Sequence, residues 1–227
     1  MNQTNEEIVS KSATFYPDAG ACYGHAWRQM WKYFLELLLI GVIAFLLSLP
    51  SWGMSVFDHM GWPIAFPIFI FSLGYSLVFL GPLEYGVSFA FLKASRGNRL
   101  QAQDMFDVFQ NWGNAILARL ITGIIITVGF FFLIIPGIIF ACKLAFVPYL
   151  VVDRKMDAID AVQTSWRMTS GHAFTVFLIG FISIFIAIAG FVCFFVGIIV
   201  AGIWIELAFA SLYYSVSTSE KDSDSQK

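Results

Sequence analysis

Long apolar runs separated by short polar stretches organise this chain, and the polar stretches are themselves patterned. The first apolar run covers about 33–49 and stops at Pro50. A loop with Trp52, Asp58, His59, Trp62 and Pro63 follows, its tryptophans suited to a membrane–water interface. The second run, about 63–93, is longer than the roughly 20 residues a span requires, so it is tilted, projects beyond the bilayer, or breaks at Gly81-Pro82. A third run, about 115–135, meets a fourth, 137–152, at Pro136-Gly137, a turn signal. The apolar stretch 173–216 is long enough only for two spans, with a turn expected between Gly190 and Gly197.

Three polar stretches carry apolar residues at helical spacing. Tyr23, Trp27, Met30, Trp31 and Phe34 share one face of a helix starting near Gly20, with Arg28 and Lys32 off it. Ala102, Met105, Phe106, Phe109 and Trp112 form a second such face, and Met156, Ile159, Val162 and Trp166 a third. Each precedes an odd-numbered span, and Trp31, Trp112 and Trp166 mark corresponding positions. The chain therefore reads as an all-α membrane protein: six transmembrane helices in three hairpin repeats, each preceded by an amphipathic helix at the membrane surface. The expected layout is a flexible segment 1–19, a membrane domain 20–216, and a disordered tail 217–227 rich in Ser, Asp, Glu and Lys.

Charge placement orients this arrangement. Lys11, Arg28, Lys32, Lys93, Arg96, Arg99, Arg154, Lys155 and Arg167 all fall on one side of a six-span layout, and the opposite loops carry no base. By the positive-inside rule that side is cytoplasmic, with both termini and all three amphipathic helices. The polar, acidic first 20 residues lack the basic, then apolar, then small-residue order of a signal peptide, so no cleavage is expected.

Five ionisable residues lie within the expected spans: Glu36, Glu84, Arg119, Lys143 and Glu206. Glu84, Lys143 and Glu206 sit in similar settings, Lys-Leu-Ala-Phe in one echoing Glu-Leu-Ala-Phe in another. At helical rise each is on the order of 15 Å from the cytoplasmic end of an even span. Glu36 and Arg119 are shallower and within reach of the interface. A charge at the bilayer centre costs about 2.5–3.5 kcal/mol on insertion scales, so these groups should face the interior and pair. Two uses fit them: a structural ion-pair cluster that fixes hairpin packing, and a polar site beside a helix disturbed at Gly81-Pro82.

Composition closes off other classes. The chain is 59% hydrophobic and 12% charged, too apolar for a soluble domain. Cys22, Cys142 and Cys193 have no metal-ligand or disulfide spacing, and the three histidines are equally dispersed. No phosphate loop, nucleophile elbow or His-Glu-x-x-His motif occurs, and the bases are too scattered for a nucleic-acid face. No catalytic, metal or cofactor residue is therefore assigned.

Gly81-Pro82-Leu83-Glu84-Tyr85-Gly86, Met105-Phe106-Asp107-Val108-Phe109, Ile134-Ile135-Pro136-Gly137 and Ala158-Ile159-Asp160-Ala161-Val162-Gln163-Thr164-Ser165-Trp166, in this order, resemble a bacterial family of integral membrane proteins whose activity is unassigned. More distantly they are similar to the membrane domain attached to some glycerophosphoryl diester phosphodiesterases. The resemblance covers roughly residues 20–215 and implies a six-helix fold in the bacterial cytoplasmic (inner) membrane. It carries over no reaction, because the phosphodiesterase catalytic domain has no counterpart here. The expected function is a non-enzymatic accessory, scaffold or lipid-associated module, in contact with membrane lipids and open to a protein partner or a second copy. The alternative is a small transporter or lipid-handling protein with a polar site around Glu84, Lys143 and Glu206.

Overall fold

The computed structural model describes residues 18–52, 62–98, 100–192 and 194–225. The segment 1–17 and the loop holding Asp58 and His59, about which the sequence raised expectations, lie outside the described residues. The described residues are helical, with no strand among them. Helices α1 (Ala19–Lys32) and α2 (Phe34–Trp52) come first, then α3 (Trp62–Tyr75), a π-helical turn (Ser76–Leu80) and α4 (Gly81–Ser95). A 3-10 segment (Ala102–Asn111) leads into α5 (Trp112–Phe132), followed by α6 (Ile134–Lys143), α7 (Val147–Asp153) and α8 (Ala158–Ser170). Helices α9 (Ala173–Val192) and α10 (Phe194–Ser225) complete the chain. Five helical stretches are long and apolar enough to cross a membrane, and six if the α1–α2 pair, bent by 92°, counts as one. This is consistent with a multi-pass membrane protein.

Helices α4 and α10 are the centre of the bundle. The last candidate span buries 44% of its most apolar window inside the protein, against 17% for α5 and for α9, so the latter two are peripheral. Around α10 pack α9, α1, α4 and α2, and around α4 pack the 3-10 segment, α7 and α5. Small residues set the closest approaches. A Cβ on Gly86 would stand 1.8 Å from the Met105 carbonyl oxygen, and one on Gly190 would stand 2.7 Å from that of Gly197. Such contacts need glycine, as membrane helix interfaces commonly do.

Several boundaries differ from the sequence-based expectation. The second span does not break at Gly81-Pro82. It runs as one stretch from Phe66 to Ser95, and the π turn absorbs the proline: the Gly81 N–H donates to the Ser76 carbonyl. In α-helical register Pro82 would serve the Val78 carbonyl but has no N–H. The Trp112 indole donates to that oxygen instead, at 2.7 Å. The turn between the third and fourth spans is at extended Leu133, not at Pro136-Gly137, because proline is tolerated in the first turn of α6. Helix α9 ends at Val192 and α10 begins at Phe194, inside the expected 190–197 window. Helix α10 continues to Ser225, through the segment expected to be a disordered tail; Glu220 lies 3.1 Å from Arg154 and 3.9 Å from Arg167.

The fourth span, Ile134–Asp153, is one stretch whose helix is interrupted. Helix α6 ends at Lys143, and α7 begins at Val147 with Pro148 in its first turn. The backbone groups freed there are taken up by α8. Ser165 Oγ donates to the Lys143 carbonyl at 2.8 Å and accepts from the Phe146 N–H at 3.3 Å, while Thr169 Oγ1 lies 3.1 Å from the same carbonyl. Ser165 and Thr169 are fully buried, as a helix break inside a bundle requires.

The buried stripes of α1 and α8 are not their most apolar ones. Helix α1 buries Ala19, Cys22, Tyr23, Ala26 and Met30, leaving Trp27 and Trp31 exposed. Helix α8 buries Ala158, Ala161, Thr164, Ser165 and Met168, leaving Ile159 and Trp166 exposed. Small and hydroxyl side chains allow close helix contact, which turns the bulky apolar residues outward. The 3-10 segment buries Met105 and Val108 and runs back along α4, where Lys93 pairs with Asp104 at 2.8 Å.

Candidate functional site

A cavity of about 240 Å³ opens between α2, α4, α5, α7 and α10. It collects three of the five ionisable residues found in the apolar runs. Glu84 comes from the start of α4, directly after Gly81-Pro82, where the helical stretch passes from the π turn into α-helix. Arg119 on α5 forms an ion pair with it, and its side chain passes close to Gly81, where a Cβ would meet Arg119 Cγ at 3.4 Å. Glu206 on α10 is accessible, lines the same cavity, and has no ion-pair or hydrogen-bond partner among the described residues. Ser48, Tyr85, Ser88 and Pro148 contribute further wall. The ionised set carries a formal charge of −1: Glu84 and Arg119 cancel, and Glu206 remains. The π turn in the second span and the α6–α7 break in the fourth both border this space, because Leu80 and Pro148 are wall residues.

Sequence reasoning placed Glu36, Glu84, Arg119, Lys143 and Glu206 in one polar cluster, with Glu84, Lys143 and Glu206 at equal depth and Glu36 and Arg119 shallower. The structure brings Glu84, Arg119 and Glu206 together and does not bring Lys143 to them. Lys143 ends α6 and turns towards α8, donating to Ser170 Oγ at 2.8 Å with its ammonium 5.7 Å from the Trp166 ring centroid. Glu36 lies exposed in the first turn of α2, away from the cavity lining. Equal depth in sequence put Lys143 with the two glutamates, but depth says nothing of which way a side chain faces around the helix.

A second polar constellation lies at the end of the bundle where α1, α4, α7 and α10 converge. Arg96 binds Asp153 through both terminal nitrogens, at 2.5 and 2.7 Å, and Tyr213 Oη donates to the same carboxylate at 3.2 Å. Burial works against the Arg96 charge, but the hydrogen bonds and charge of Asp153 more than offset it and hold the guanidinium above its ordinary range. Tyr33 Oη donates to the Gly97 carbonyl at 2.6 Å, fastening the α1–α2 corner to the end of α4. On α1, burial and then Arg28 lower the His25 pKa, and burial together with Asp18 pushes the Cys22 thiol up to about 12. No sequence signal pointed to the Arg96–Asp153 pair: its members are 57 residues apart, and each alone resembles an ordinary loop-flanking charge.

Among the described residues no group of three or more His, Cys, Asp or Glu side chains is placed to hold a metal ion. No known protein family, curated protein or solved structure matches the chain.

Proposed function

We propose that this chain is a non-enzymatic, lipid-associated module of a bacterial inner membrane. In this reading it has six spans in three hairpins, each hairpin preceded by a helix lying at the cytoplasmic surface, and both termini are cytoplasmic. One observation carries the reading. The short helices turn bulky apolar side chains outward, with Trp31 59%, Ile159 58% and Phe106 42% exposed, while burying small residues against the bundle. Side chains of that kind at the rim of a membrane domain rest in the headgroup–acyl boundary. Nitroxide labels placed singly at residues 31, 106 and 159 in phospholipid nanodiscs test it. Collision rates should resemble the headgroup–acyl boundary; rates as in free water at all three would sink the reading. Reporter fusions at Ser95, Gly137 and the C-terminus test the topology, and a cytoplasmic signal at Gly137 would refute six spans.

A second reading, a small transporter or lipid-handling protein, is favoured by Glu206. An unpaired carboxylate facing an intramembrane cavity is suited to a cation or a cationic headgroup. Glu206→Gln should then abolish a cellular phenotype at normal protein abundance. If it lowers abundance alone, the residue is structural.

A further inference from the structure

Three of the candidate spans, Phe66–Ser95, Ile134–Asp153 and Gly197–Glu220, end around one polar cavity of about 510 Å³. It lies where apolar helix gives way to polar chain. Arg96, Arg154 and Arg167 line it with Asp153 and Glu220, so three bases face two acids and the formal charge is +1. The back of the cavity is closed. Both terminal nitrogens of Arg96 are taken by Asp153, and Tyr213 Oη donates to the same carboxylate. The mouth is formed by Arg154, just after α7, and Arg167 on α8, which share the single carboxylate of Glu220. Arg154 Nη2 donates to one of its oxygens at 3.1 Å, while Arg167 Nη2 stands 3.9 Å from the other, beyond hydrogen-bond reach. Each guanidinium is a planar fork of N–H donors, yet Glu220 takes one donor from Arg154 and none from Arg167.

We propose that Arg154 and Arg167 bind a phosphate group in this cavity, and that Glu220 holds its place until it arrives. The ligand class follows from the mismatch between two forks and one carboxylate. A phosphate is tetrahedral and larger, offers oxygens to both guanidiniums at once, and can accept paired N–H bonds from each. The cavity leaves open space for it between them. Ser217 and Thr218, also on the wall, both donate back to the Tyr214 carbonyl, so the arginines carry the binding. A phosphate and the Glu220 carboxylate repel each other there, so the two compete. Glu220 stands near the end of α10, which closes at Ser225, and helix ends open at little cost, so it can leave without disturbing the spans. A phospholipid headgroup at this boundary and a soluble phosphate compound present the same group, and either can fill the site.

The full chain in dodecyl maltoside, titrated calorimetrically with inorganic phosphate and by native mass spectrometry with phosphatidylglycerol, provides the test. At least one probe should bind the wild type. Glu220→Gln should bind it about fivefold more tightly and Arg167→Gln about fivefold more weakly, the effect of one charge at such a site. Arg167→Lys should recover only part of the loss, because an ammonium lacks the fork. The Arg167 side chain is 75% exposed, so these variants should fold as the wild type does, with unchanged thermal unfolding. Phosphatidylglycerol held more tightly than inorganic phosphate makes the headgroup the ligand; the reverse order makes it a soluble phosphate. No binding of either probe to the wild type or to Glu220→Gln would overturn the site, as would equal affinities in the wild type, Glu220→Gln and Arg167→Gln. Acetate bound as tightly as inorganic phosphate would overturn phosphate as the ligand. Neither failure touches the lipid-associated reading, which the nitroxide labels test separately.

Discussion

Ser165→Ala should destabilise the protein by about 2 kcal/mol, although it removes a single oxygen from the short helix α8. Ser165 Oγ holds both sides of the α6–α7 break, donating to the Lys143 carbonyl and accepting from the Phe146 N–H. Phe146 and Ser165 are both at 0% exposure, so water does not reach the freed amide. A buried donor left without an acceptor costs about 1–3 kcal/mol. The Lys143 carbonyl fares better, because Thr169 Oγ1 lies 3.1 Å from it and its single hydroxyl proton can turn to it from the Ser165 carbonyl, 2.7 Å away. Thr169→Val should therefore cost about 0.5–1 kcal/mol, since Ser165 keeps both of its bonds. The double variant should exceed the sum of the single effects by about 1 kcal/mol, because the carbonyl then loses its last partner. Equilibrium unfolding in mixed micelles with increasing SDS, followed by tryptophan fluorescence, measures all three. A Ser165→Ala effect below about 0.3 kcal/mol, or strict additivity in the double variant, would refute the view that α8 sustains the break.

Gly86→Ala should cost about 3 kcal/mol, because its methyl would fall 1.8 Å from the Met105 carbonyl oxygen and force α4 and the 3-10 segment apart; the same SDS titration reads it. Trp112→Phe should cost about 1 kcal/mol by leaving the Val78 carbonyl unpaired. Pro82→Ala restores a backbone donor, so the same Trp112→Phe change should cost measurably less in that background. His25, with a pKa held below its ordinary value of 6.5 by burial and Arg28, stays neutral in the fold at pH values where the unfolded chain binds a proton. Stability should hold above that ordinary value, fall as the pH drops through the window down to the lowered pKa, and level off below it. His25→Gln should flatten this part of the profile.

The apolar runs were legible because crossing a bilayer demands length and composition, and both are local properties. The break after Asp153, the end of α9 at Val192 and the start of α10 at Phe194 followed directly, whereas α2 runs through Pro50 to Trp52. The Leu133 turn was misplaced because Pro-Gly reads as a turn wherever it occurs, while a helix accepts proline in its first turn. Helical periodicity identified α1 and α8 but not their inward faces. In a soluble protein the apolar stripe is the buried one; here Trp27 and Trp31 face outward and Cys22 and Ala26 face in. Of the charged residues, sequence showed that Glu84 and Glu206 needed company and did not show that Arg119 supplies it. That pairing depends on which spans are neighbours, which only the packing of the whole chain decides.

Helix α1 carries a constraint on when this protein becomes complete. Tyr23 Oη lies 2.9 Å from the Ile179 carbonyl and 2.8 Å from Ser183 Oγ, and the Trp204 indole donates to the Tyr23 carbonyl at 3.1 Å. These partners stand 156 to 181 residues further along the chain. During synthesis helix α1 emerges with this surface bare, and the surface stays bare until α9 and α10 have been made. At elongation rates of about 5–20 residues per second, the wait lasts on the order of ten seconds or more. Over that interval the amino-terminal helix is within reach of chaperones, proteases and other nascent chains, and its late docking signals that translation of the membrane domain has finished.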